Sequence, residues 1–321
     1  MRRYEITIDD PNTKKTLLNF GCSSQNPQGP EIQFNIQLYQ SGATVNDTIT
    51  MFNIQPFYFN ENQNLYGKHI TLSAGFDLTP LTKKIGYSGI YGQIIDGYIT
   101  NAITEWKGRD TQLALIVNPY FPGKAGPSLM SVKIGDLLLP KIAQAVTGLT
   151  GNAGLLELGN IPKTLTSKEN YQHIVSSAAG LDNMLQATHG ITLAKKDVGF
   201  TLFDPSSLMT ATSQKTVYLK EGDFICQPSL MPGTTAEVAI TLMMRSDIKL
   251  YDYVVIPQDI YIGMSALDVV ADANGLNDMF KGKTVFSMFS GTYRVNSIWQ
   301  LGDVKSPDAM AWATTLQGTK V

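Results

Sequence analysis

Three histidines, His69, His173 and His189, are the first residues to ask about titratable chemistry. Zinc binding calls for paired ligands at short spacing, such as HxxxH or HExxH, and none of the three has such a companion. His69 falls in a strand pattern and His173 in a polar strand. His189 falls at the end of a helical pattern, where it satisfies the last carbonyls and the helix dipole or is simply exposed. Cys22 and Cys226 are too few for a disulfide framework and lack the paired spacing of a zinc site. They read as reduced, isolated thiols. The run Asp272-Ala273-Asn274-Gly275-Leu276-Asn277-Asp278 has some look of a calcium loop, but its glycine is fourth where the sixth place is required. Position twelve is Lys283 and not a carboxylate, so the run reads as a turn. Gly148, Gly151 and Gly154, and the pair Gly123-Lys124, lack the strand-to-helix setting and the following Ser or Thr that cradle a phosphate. No Asp or Glu pair is tied to an aromatic sugar-stacking cleft, and Trp106, Trp299 and Trp312 are scattered as core or interface residues are. The expectation is no catalytic residue, no cofactor and no metal.

The elements that would carry any site are mostly strands. With 321 residues, 43% hydrophobic and 16% charged, the chain has material for two or three packed domains. Its formal net charge of −2 offers neither a basic face for duplex nucleic acid nor an acidic tail. The start, MRRYEITIDD, has no apolar run and reads as no signal peptide. The longest apolar candidate, residues 129–149, is interrupted by Lys133, Asp136, Pro140 and Lys141, so no membrane anchor is expected.

Up to about residue 120 the pattern alternates with a period of two. Tyr4, Ile6 and Ile8 share one face, as do Ile32, Phe34, Ile36 and Leu38. Further strands are read at 48–54, 68–76, 92–102 and 111–117, the regular spacing of a barrel or sandwich. Residues 121–127, with two prolines and two glycines, mark a boundary. The next section offers a helix over 137–146, a second over 178–188 ended by Gly190, and a hairpin of 191–193 with 200–203. From about Thr216 the alternation returns, with Val238, Ile240 and Leu242 inward, then strands at 254–256, 284–288 and 293–299. The predicted fold class is a β-rich α+β protein with three domains: 1–122 (β), 123–210 (small α/β) and 211–321 (β). The order β, α/β, β would fit a duplication of the β domain, although no residue-level repeat proves one.

The last third carries a specific signal. Phe224-Ile225-Cys226-Gln227-Pro228, then Glu237 to Pro257 with Arg245-Ser246-Asp247-Ile248 and Tyr251-Asp252, resembles the hub family of myovirus-like contractile tails. That family's pattern is a Gly-Gln-Pro turn, an alternating strand, an Arg-x-Asp-Ile turn, a Gly-Asp pair and a strand ending in Pro. Cys226 and Tyr251 stand here where glycines are usual. Gly291, Tyr293, Gly302, Asp303 and Trp312 fit the family's closing strand and loop, and Gly108-Arg109-Asp110-Thr111 its Gly-x-Asp turn. The likeness spans nearly the whole chain and is most specific over 224–314. Pro228, Arg245, Asp247, Asp252, Pro257, Gly291, Tyr293, Gly302, Asp303 and Trp312 are its motif residues, structural and not catalytic.

The resemblance implies two tail-tube-like β-barrel domains flanking the α/β insertion. It implies a homotrimer whose six barrels form a pseudo-sixfold ring, with the tail-tube protein above, the central spike protein below and other baseplate proteins around it. DNA would pass through the lumen without specific binding, and the protein would belong to the virion baseplate after assembly in the host cytoplasm. A tail-tube subunit or other β-rich baseplate component is the alternative, and a tail-associated peptidoglycan hydrolase a weaker one.

Overall fold

The computed structural model describes residues 1–39, 46–54, 65–77, 90–107, 110–120, 126–151, 156–159, 161–195, 199–205, 215–231, 237–257 and 289–321. The Asp272–Asp278 turn, Gly123-Lys124, Gly154, Gly108-Arg109 and the strand read at 284–288 lie outside the described residues, as does most of the 121–127 boundary.

The first section holds β1 (Arg2–Asp9), β2 (Thr16–Cys22), β3 (Glu31–Tyr39), β4 (Asp47–Phe52), β5 (His69–Phe76), β6 (Gly92–Lys107) and β7 (Asp110–Asn118). Alternation does what it predicted: Tyr4, Ile6, Ile8, Ile32, Phe34, Ile36 and Leu38 are all buried. The strand β2 escaped the sequence reading, because Leu17, Leu18 and Phe20 break the period of two at a sheet edge where burial is partial.

The middle section holds β8 (Ser128–Val132), α1 (Leu138–Thr150), β9 (Leu156–Leu158), β10 (Tyr171–Val175), α2 (Ala178–His189), β11 (Thr192–Lys195) and β12 (Phe200–Phe203). The helix α1 runs a turn beyond the expected end because Leu149 and Thr150 remain buried, and Gly151 closes it in the left-handed conformation. Pro140 sits in its first turn, where no intrahelical N–H is lost. Ser177 caps α2 by accepting from Gly180 N–H, and Gly190 ends it at φ 67°. Their apolar faces meet in one core with Met130, Val175, Leu193, Phe200 and Leu202.

The last section holds β13 (Thr216–Tyr218), β14 (Ser229–Leu230), β15 (Glu237–Met243), β16 (Tyr253–Ile256), β17 (Gly291–Asp303) and β18 (Trp312–Lys320). The nine-residue strand β18 closes the chain and was not among the strands read from the sequence. Among the described residues, the thirteen strands of the first and last sections belong to one sheet, in the order β14-β15-β18-β17-β3-β4-β7-β6-β5-β1-β2, with β16 joining β13 to β17. The seam between the sections is β17 against β3, antiparallel, from Ser297 opposite Tyr39 to Asp303 opposite Gln33.

Within that sheet one pattern occurs twice. The neighbours β3-β4-β7-β6-β5 match β14-β15-β18-β17-β16, strand for strand in chain order and in sheet order. Both long hairpins carry a register shift at the same place, Ile99/Asn101 in β6 and Val295/Ser297 in β17. Both are clasped there alike: Gly67 N–H donates to Ile99 O at 2.8 Å, and Tyr251 N–H to Val295 O at 2.9 Å. The return bonds, from Ile99 N–H to Lys68 O and from Val295 N–H to Asp252 O, are both 2.9 Å.

Candidate assembly interface

Most of the motif residues fall into three groups. Arg245 follows β15 and is 2% exposed. Its Nε and Nη2 donate to the two oxygens of Asp247 at 2.9 and 3.0 Å, a planar fork meeting a carboxylate. Its Nη1 lies 2.8 Å from Asp223 Oδ2, close in distance but off the hydrogen-bonding direction. Burial alone lowers the Arg245 pKa, but Asp247 and Asp223 outweigh it and the net shift is upward. The Arg245 backbone is held as well, its N–H donating to Thr314 Oγ1 and its carbonyl accepting from Gln300 Nε2. Asp223 was not among the motif residues, and no sequence spacing marks it. Only the fold brings it beside Arg245.

Asp252 and Tyr251 form the second group. Asp252 is 9% exposed, its Oδ2 accepting from Lys249 N–H at 2.8 Å, and burial raises its pKa. Tyr251 takes φ 69°, the conformation a glycine in that place would adopt. The equivalent position in the first repeat is Gly67, at φ 75°. The tyrosine ring is wholly buried against Phe203 of β12, ring centroids 3.8 Å apart, and so ties the middle section to the last.

Gly302, Asp303 and Trp312 make the third. The Phe34 ring lies over Gly302, where an added Cβ would come within 2.1 Å of it, and stacks edge-on to Trp312 at 5.2 Å. Trp312 is wholly buried and donates through Nε1 to Gly75 O at 2.9 Å. Asp303 accepts from Lys305 N–H and Ser306 N–H, shaping the loop that Arg2 grips through the carbonyls of Asp303, Ser306 and Asp308. Pro228 is buried just ahead of β14 and Pro257 follows β16. Gly291 opens β17 at φ 137°, and Tyr293 OH donates to Phe289 O at 2.9 Å.

The histidines also resolve. His69 Nε2 is 2.5 Å from Asp96 Oδ1, and Asp9 stands 4.0 Å from its other nitrogen. The Asp96 hydrogen bond raises its pKa against the opposing effect of burial. His189 does not cap α2 with its side chain; its Nε2 meets Tyr171 OH at 3.0 Å, and burial lowers its pKa. The helix end is closed by Gly190 N–H instead. Among the described residues, no three His, Cys, Asp or Glu side chains converge as a metal site, and no helix is long and apolar enough to cross a membrane.

The broad surface left is the sheet face opposite the core. Across β4, β3, β17 and β18 its middle carries Thr48, Thr50, Asn35, Gln37, Trp299, Thr315 and Gln317, and its ends the charged Glu31, Asp303 and Arg294. Neutral hydrogen bonds knit it: Trp299 Nε1 to Asn35 Oδ1 at 2.7 Å, Gln37 Nε2 to Asn35 Oδ1 at 3.2 Å and Ser297 Oγ to Gln317 Oε1 at 2.9 Å.

No protein-family model matches the chain, and no curated protein matches it by sequence. Solved structures do match. The 43 kDa tail protein of prophage MuSo2 from Shewanella oneidensis superposes with a TM-score of 0.52 at 10% identity, covering 99% of this chain and 98% of that one. The tail protein from Neisseria meningitidis MC58 gives 0.51 at 9% identity, over 99% and 96%. The chain has a tail-protein fold. In this tail-protein fold the seam β17–β3 and the buried pair Lys195–Asp47, 2.6 Å apart, join sections that the sequence separates.

Proposed function

We propose that the chain is the structural hub of a contractile phage-tail baseplate, acting by assembly and without a catalytic step. Three copies form a ring that meets the hexameric tube on one side and the trimeric central spike on the other. The observation that carries this reading is the repeat: each chain holds the same five-stranded unit twice in one sheet, so three chains present six. Likeness in fold to two tail proteins over nearly their whole length supports it. The middle of the β4, β3, β17 and β18 face, with its charged residues Glu31, Asp303 and Arg294 kept to the ends, suits the lumen. Amides and hydroxyls already bonded to one another offer passing DNA neither a cation to hold it nor a wall of carboxylates to repel it. The middle section sits outside the ring, toward spike or baseplate.

Light scattering on the purified chain across a concentration series tests the proposal. A mass of three chains, with no peptidoglycan cleavage by the same sample, is expected. A hexamer would move the assignment to a tube subunit. A monomer that stays monomeric when mixed with tube and spike proteins would refute the hub.

A further inference from the structure

Lys195 and Asp47 meet in the interior, their side chains 3% and 6% exposed, with 2.6 Å between Nζ and Oδ2. Lys195 is the last residue of β11 and Asp47 the first of β4, so each arrives on a strand, and the contact spans 148 residues of sequence. Among the described residues, the walls around the pair are Ile36, Leu38, Ile94, Ile95 and Val117, with Asp96 and Asn118 as polar neighbours. Apolar walls suit charges poorly, because a buried ion pair bears a desolvation cost that its own attraction often repays only in part.

The surroundings hold more than an ion pair requires. A lysine amine that has given up its proton is a nucleophile, and this one lies against the Asp47 carboxyl. The other carboxyl oxygen, Asp47 Oδ1, accepts from Gln37 N–H at 3.1 Å. That places a fixed donor at the oxygen on which charge builds when the carbon is attacked. Asp96 adds a second carboxylate to the same cavity wall, able to relay a proton. The apolar side chains keep out water that would hydrolyse a product.

We infer that Lys195 and Asp47 condense to an isopeptide bond, which ties the middle section covalently to the first. One proton of the ammonium crosses the 2.6 Å contact to Oδ2, leaving an amine and a carboxylic acid. The nitrogen lone pair then forms the Nζ–Cγ bond, and the negative charge that develops on Oδ1 is held by Gln37 N–H. A second proton passes from Nζ to Oδ2 by way of Asp96, the Cγ–Oδ2 bond breaks and that oxygen leaves as water. Nζ keeps its third proton. The sum is ammonium and carboxylate giving amide and water, with no oxidant and no energy carrier. Two strands holding the groups in contact replace a chance encounter, and the neutral amide removes both charges from the interior. The inference does not depend on the hub reading.

Mass spectrometry of the full chain, incubated folded at neutral pH until its mass is constant and then denatured, tests it. The chain should weigh one water less than its sequence. A protease digest should yield one branched peptide that joins the segments holding residues 47 and 195. Lys195→Arg keeps the positive charge but has no amine to acylate, and Asp47→Ala has no carboxyl, so both should keep the full sequence mass. Wild type at full sequence mass, with the two segments in separate peptides, overturns the inference and leaves an ion pair. A loss of water that persists in Lys195→Arg also overturns it, because the dehydration then lies elsewhere. The wild-type digest decides even where a variant does not fold.

Discussion

At the scale of single residues, Tyr251 shows how side chain and backbone can oppose each other. A non-glycine residue held at φ 69° costs about 1–2 kcal/mol. Burial of the ring against Phe203 offsets that, since truncating a buried aromatic costs roughly 3–5 kcal/mol. Tyr251→Ala keeps the strain and loses the ring, so it should destabilise by about that amount. Tyr251→Gly loses the ring but relieves the strain, and should be less damaging by about 1 kcal/mol. Urea unfolding of both variants checks the order; alanine better than glycine would mean that the backbone is not strained there. Arg245 illustrates the other residue-scale rule. Its worth lies in not leaving Asp223 and Asp247 as uncompensated charges, one of them fully buried.

At the scale of elements, strands β1, β5 and β6 are pinned at one end by His69 between Asp9 and Asp96, with the Lys68–Asp10 pair beside it. A histidine whose folded pKa is raised stabilises the fold fully below its unfolded value of 6.5, and that contribution is lost as pH rises through the folded value. The stability difference between wild type and His69→Asn should therefore be largest below pH 6.5 and shrink as the pH rises above it. Asp96→Asn should abolish most of that pH dependence. Urea midpoints across this range, with no change in the difference, would show that the fold does not raise the His69 pKa. The element-level pattern itself was largely legible: strands with one buried face declare themselves by alternation, as β3 does. Edge strands such as β2, and β18 with its run Trp312, Ala313 and Thr314 buried in succession, do not, because burial there is set by neighbours and not by period.

At the scale of the whole molecule, the two β sections are not separately packed. Trp312 and Met244, from the last section, lie in the core of the first, and Leu38 lies in the core of the last. Trp312→Ala should cost about 3–5 kcal/mol. It should also speed hydrogen exchange in β1 and β5, although Gly75, the partner of its indole, is 237 residues away in sequence. Exchange confined to β17 and β18 would show that the sections unfold independently.

What the sequence determined by itself was local. The alternating strands, both helices, the glycine end of α2 and the low charge could be read from spacing and composition, because each depends on residues a few positions apart, and the motif set of the last third was read through a family resemblance. The repeat could not. Aligned by their registers, β6 and β17 place Gly97 beside Tyr293, Trp106 beside Gly302 and Gly67 beside Tyr251, so the two units share hydrogen bonding and not side chains. Sheet pairing is made by backbone groups that every residue carries, and many side-chain sets satisfy one register. The seam β17–β3 and the Asp223 partner of Arg245 are decided by the way the chain pairs and packs, and only the tertiary structure displays them.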